Sequence, residues 1–123
     1  MIAFVDKNSN PLPCTVAVDP AKGILDVYAV DDSGIPVVCD WTLRNASKWG
    51  SSYWGTLQGF TTSQVYVDVI NLYGLTSATY QCPDPTLYKG KLSVILTATS
   101  TTTGKQRQIQ IAVQHNIENE FSS

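Results

Sequence analysis

Apolar and polar residues alternate with a period of two in short segments along this chain, and each segment is bounded by turn residues. That period is the mark of half-buried strands, because successive side chains on a strand point to opposite faces. Ile24 to Val30 reads as one strand with Leu25, Val27 and Ala29 on a single face. Val37, Cys39, Trp41 and Leu43 share a face opposite Val38, Asp40 and Thr42. Val65, Val67 and Val69 do the same against Tyr66, Asp68 and Ile70. Leu92, Val94, Leu96 and Ala98 alternate with Ser93, Ile95, Thr97 and Thr99, and Ile109, Ile111 and Val113 alternate with glutamines. The last strand has one apolar and one amide face, as expected of a sheet with one side in water.

The punctuation agrees with this reading. Asp31-Asp32-Ser33-Gly34 and the Thr-rich stretch ending at Gly104 predict turns, the second of them a hairpin between the last two long strands. Pro11, Pro13, Pro20, Pro36, Pro83 and Pro85 all fall at strand borders or in loops, where a missing N–H costs no ladder hydrogen bond. Weaker strands are expected at 2–5, 14–18, 54–59 and 78–82. No window carries a helical period and no tandem repeat is visible. The expectation is an all-β, immunoglobulin-like antiparallel β-sandwich of about seven to nine strands, with 1–114 as one domain and 115–123 as a polar tail or linker. Its predicted core is Cys39, Trp41, Leu43, Val67, Leu96 and Ile111.

Several segments together resemble the bacterial and phage immunoglobulin-like modules of the Big type. They are Val37-Val38-Cys39-Asp40-Trp41-Thr42-Leu43, Gly55-Thr56-Leu57-Gln58-Gly59, Leu92 to Thr103 with Gly104, and Ile109 to Val113. In such modules a strand ends in a core tryptophan, a glycine-rich segment follows, and a threonine-rich hairpin leads into the final strand. The resemblance runs from residue 24 to 113. It departs between Trp41 and the glycines, where this chain is unusually aromatic. It implies a sandwich used as a spacer, adhesin or decoration unit, in a phage virion or at an extracellular cell surface, with no catalytic residues.

Charge narrows the function classes. Only 15% of residues are charged, the net charge is −2, and no cluster of Lys or Arg offers a phosphate backbone its counterions, so no nucleic-acid role is expected. No apolar run approaches the roughly 18 residues a membrane helix needs, and membrane insertion is not expected. No signal peptide is visible at the N-terminus, so either Met1 is a true start or it caps an excised fragment. His115, the sole histidine, lies in the polar tail, a poor place for a general base. No nucleophile elbow, phosphate loop or zinc-binding pattern is present, and neither enzyme activity, cofactor nor metal is expected.

Three cysteines, Cys14, Cys39 and Cys82, leave at least one unpaired. They read as three small buried apolar residues, or as one disulfide with a spare thiol. Asp31 to Gly34 reads as an Asx-type turn, with a Ca²⁺ loop as its competitor. Asp40 and Asp68 are expected simply to face water. The sequon Asn45-Ala46-Ser47 reads as incidental without a secretory route.

The segment richest in recognition chemistry is Arg44 to Gly55. It carries Arg44, Lys48, Trp49, Tyr53 and Trp54 within twelve residues. Aromatic and cationic side chains on a loop can anchor a protein partner or stack on sugar rings. Alternatively Trp49 and Trp54 fold back over one end of the sandwich. The sequence leaves a protein partner as the first functional expectation and a glycan as the second, with oligomeric state open.

Overall fold

The computed structural model describes residues 1–18, 23–46, 55–58, 60–61, 69–82 and 91–114. Ten strands lie in these residues, and none of the described residues is helical. They are β1 (Ala3–Val5), β2 (Thr15–Val18), β3 (Ile24–Val30), β4 (Cys39–Asn45), β5 (Thr56–Leu57), β6 (Phe60–Thr61), β7 (Val69–Leu75), β8 (Ser77–Gln81), β9 (Lys91–Ser100) and β10 (Gln106–Gln114). β5 and β6 have two residues each, which accounts for a count one above the expected range.

Two sheets form, in the orders β1-β3-β8-β5-β6 and β2-β10-β9-β4-β7. Immunoglobulin-type sandwiches put strands A, B, E and D in one sheet and C, F and G in the other. Here β1, β3, β8 and β5 occupy the first series, and β4, β9 and β10 the second. The departure is in chain order, because β5 and β6 come before β7 rather than after it. All strand pairs are antiparallel except β2 with β10, which run parallel in register from Thr15 against Gln110.

The alternation explains the core. Val27 and Ala29 on β3, Cys39, Trp41 and Leu43 on β4, Leu92 to Ala98 on β9, and Ile109, Ile111 and Val113 on β10 all turn inward and are buried at each second position. Trp41 stacks on Phe4 of the facing sheet, with ring centroids 5.6 Å apart and planes 20° apart. Such a pair adds about 0.5–1.5 kcal/mol beyond the area it buries. The Trp41 indole N–H donates to the carbonyl of Leu75 at 2.9 Å, so its one polar atom is satisfied inside the core. Of the predicted core, Cys39, Trp41, Leu43, Leu96 and Ile111 are buried, and Val67 lies outside the described residues.

At Val69 and Ile70 the faces differ from those that alternation predicts. Val65 and Val67 lie outside the described residues, but β7 runs from Val69 to Leu75, and it buries Ile70 and Leu72 rather than Val69. The partner decides this. β7 pairs with β4, Ile70 opposite Leu43 and Leu72 opposite Trp41, and residues opposite one another share a face. Between Leu72 and Leu75 the strand carries one more residue than β4 does between Trp41 and Cys39, and Gly74 sits there at φ +71°. This bulge interrupts the period of two beyond Leu72.

The bulge also begins a corner. Only Thr76 separates β7 from β8, so the chain passes there from one sheet to the other, a change of sheet that bulges and bends make possible. Three contacts hold the corner. Gly74 N–H donates to Asp40 Oδ1 at 3.1 Å, Leu75 C=O accepts from Trp41, and Thr76 C=O accepts from Ala29 N–H at 2.9 Å. Asp40 does face outward as expected, but it also holds this backbone donor.

Candidate functional site

The aromatic segment leaves one sheet and arrives on the other. On its near side, Arg44 is exposed near the end of β4, between Val69 of β7 and Ile95 of β9. Ala46 N–H then donates to Ser93 C=O at 2.8 Å, which ties the departing chain to β9. Lys48, Trp49, Tyr53 and Trp54 lie outside the described residues. On the far side Gly55 is buried and leads into β5, which pairs with β8 through Thr56 opposite Gln81 and Leu57 opposite Tyr80.

Gly55 is required by space as well as by backbone. Its φ is +114°, and a Cβ built there would lie 2.6 Å from Gln81 O and from Tyr80 Cε1, and 2.7 Å from Tyr80 Oη. Tyr80 is fully buried and Gln81 O is backbone, so neither can yield cheaply. Beyond it Leu57 is fully buried, Gln58 N–H donates to Thr79 C=O, and Gln58 Oε1 accepts Thr79 N–H at 2.7 Å. Both anchors therefore belong to the sheets; Lys48, Trp49, Tyr53 and Trp54 fall between them in the chain, and Arg44 lies on β4 just before the first. The sequence marked Gly55 as part of an aromatic cluster; its close approach to Tyr80 is a tertiary fact that spacing does not carry.

The other groups with chemical potential have structural work. Asp31 Oδ1 accepts Ser33 N–H at 2.8 Å and Ile35 N–H at 2.9 Å, the Asx geometry expected of that turn. Among the described residues, no group of three or more His, Cys, Asp or Glu could hold a metal ion. Cys39 and Cys82 are buried as expected, but Cys14 is exposed just before the edge strand β2, and the three thiols are not joined to one another. Burial pushes the Cys39 thiol above its ordinary value of 9.0, and the Asp40 carboxylate pushes it the same way. It is a neutral group at neutral pH, 3.6 Å from Val37 C=O, and not a thiolate nucleophile. His115 lies outside the described residues.

Two turns of the chain match one another. Val5 to Pro11 and Val30 to Pro36 form the same turn, with Asp6 matching Asp31 and Ser9 matching Gly34. In both, the Asp Oδ1 accepts the N–H groups two and four residues on, at 2.8 and 2.9 Å. In both, the Asp C=O accepts the N–H three residues on at 3.0 Å, and its own N–H donates to the C=O four residues on at 2.9 Å. The shared letters are V-D, then Asn or Ser, then P. The interval of 25 residues and the mixed intervening residues hid the match. No protein-family model matches this chain, and no curated protein is similar to it in sequence.

Proposed function

We propose that this protein is a non-catalytic structural and interaction module, an immunoglobulin-like unit of a virion or a cell surface, that meets a protein partner through the segment from Arg44 to Gly55. The observation that carries the reading is the anchoring of that segment. It departs from β4 beside Ser93 on one sheet and re-enters at Gly55 against Tyr80 on the other, so both ends of an aromatic, cationic stretch are fixed at one end of the sandwich. Fixed ends lower the ordering cost of a contact loop, and Trp, Tyr and Arg are the residues that dominate protein contacts. The resemblance to Big-type modules supplies the setting, and fold likeness alone does not name the partner.

The test is co-sedimentation of the protein with virions or intact cells of its source. The intact protein should sediment with one of them, and the pair Trp49→Ala and Trp54→Ala should abolish this without altering the far-UV spectrum or Tm. Association that survives both substitutions removes the segment from the contact, and no association with either particle removes the reading. Binding on a glycan array that the same substitutions abolish would replace the protein partner with a carbohydrate.

A further inference from the structure

A cleft of about 290 Å³ opens between the two matched turns, at the end of β3 and β8 away from Gly55. Val27 and Ala29 are buried in the core, so Tyr28 and Val30 face outward, and both line the cleft. Tyr28 is 37% exposed, so part of this aromatic residue is open to solvent. Asp6, Lys7 and Ser9 of the first turn make one wall, the second turn makes the other, and Thr76 of the sheet-changing corner lines it as well. We infer that this cleft holds one neutral hexopyranose unit of a glycan.

The lining chemistry selects that class. A pyranose ring has an apolar C–H face and a belt of hydroxyl groups that both donate and accept. Tyr28 offers the flat apolar surface, Asp6 an acceptor, Lys7 a donor, and Ser9 and Thr76 hydroxyls that serve either way. Among the residues that line the cleft, the one carboxylate, Asp6, and the one ammonium, Lys7, balance. The volume falls just under the usual range for small-molecule sites, enough for one ring and not for a folded oligosaccharide.

Preorganisation strengthens the case. Asp6 Oδ1 is held by Asn8 N–H and Asn10 N–H, which fixes the carboxylate within its turn before any ligand arrives. The opposite wall is fixed in the same manner by Asp31. Little ordering therefore remains to be done on binding. The site is independent of the segment from Arg44 to Gly55, and either reading can fail without the other.

The test is an amide-resolved NMR titration of the intact chain with the methyl glycosides of glucose, galactose and mannose, taken into the millimolar range. At least one glycoside should shift the Ser9, Val30 and Gly34 resonances along a saturating curve. Tyr28→Phe should retain that curve, Tyr28→Ala should weaken it by about tenfold, and Trp49→Ala with Trp54→Ala should leave it unchanged. If Tyr28→Ala loses its native spectrum, Lys7→Ala, on an exposed turn position, takes its place and should weaken binding several-fold. No saturating shift with any of the three glycosides overturns the inference. So do shifts that Tyr28→Ala or Lys7→Ala leave intact, or shifts confined to residues 44–55.

Discussion

The turns at Asp6 and Asp31 are built from the same hydrogen bonds at nearly the same distances, yet they differ at the position that bends the chain backwards. Gly34 holds φ at +80°, where it meets no steric penalty; Ser9 holds φ at +65°, where an L-residue is strained. The first turn keeps its shape because the Asp6 carboxylate and backbone satisfy the same donors that their counterparts satisfy in the second. The hydrogen-bond frame, set by the aspartate, determines the conformation, and the residue at the left-handed position sets how much strain that conformation carries.

Removal of the carboxylate should have the largest effect. Asp31→Ala and Asp6→Ala each leave two N–H groups without their acceptor, at an expected cost of about 1–2 kcal/mol, by analogy with lost helix caps. Urea midpoints at constant slope would measure both. Costs that differ by more than about 1 kcal/mol would break the equivalence of the turns. A third turn, Ser100 to Lys105, is one residue longer and uses a hydroxyl: Ser100 Oγ accepts Thr102 N–H at 3.3 Å and Thr103 N–H at 3.2 Å. Ser100→Ala should cost about 1 kcal/mol, less than either aspartate, because the acceptor is neutral and the bonds are longer.

The strain at the left-handed position can be varied by itself. A Cβ at Gly34 would find nothing within 4 Å, so Gly34→Ala tests the backbone alone and should cost about 1 kcal/mol. Ser9→Gly is the reverse exchange and the smallest effect expected. Relief of strain is partly offset by the entropy of glycine in the unfolded chain, so the gain should be a few tenths of a kcal/mol. Thermal unfolding of both variants would decide it; a loss of stability in Ser9→Gly would show that Ser9 is not strained in its turn.

The same difference explains what could be read in advance. The turn at Asp31 was legible because Gly34 marks a left-handed residue, and the turn before Lys105 because Gly104 does. Asp6 to Asn10 was not legible, since a serine carries the positive φ and serine is common in every kind of loop. Cys14 was expected to be buried on the prior for free cysteine, and its place just before an edge strand leaves it exposed instead. The candidate segment Arg44 to Gly55 was found by its composition, but its two anchors, on Ser93 and against Tyr80, depend on residues far away in the chain.

The sequence by itself determined which side chains of β3, β4, β9 and β10 go inside, because side-chain direction on a regular strand has a period of two that neighbours along the chain already specify. It determined the all-β class and the hairpin from β9 to β10 for the same local reason. The tertiary structure decided the face of β7, the passage between sheets at Thr76, the glycine required at position 55, and the meeting of two turns 25 residues apart around Tyr28. Each of these depends on which strand or side chain lies opposite, and pairing across space is not written in the period of one strand.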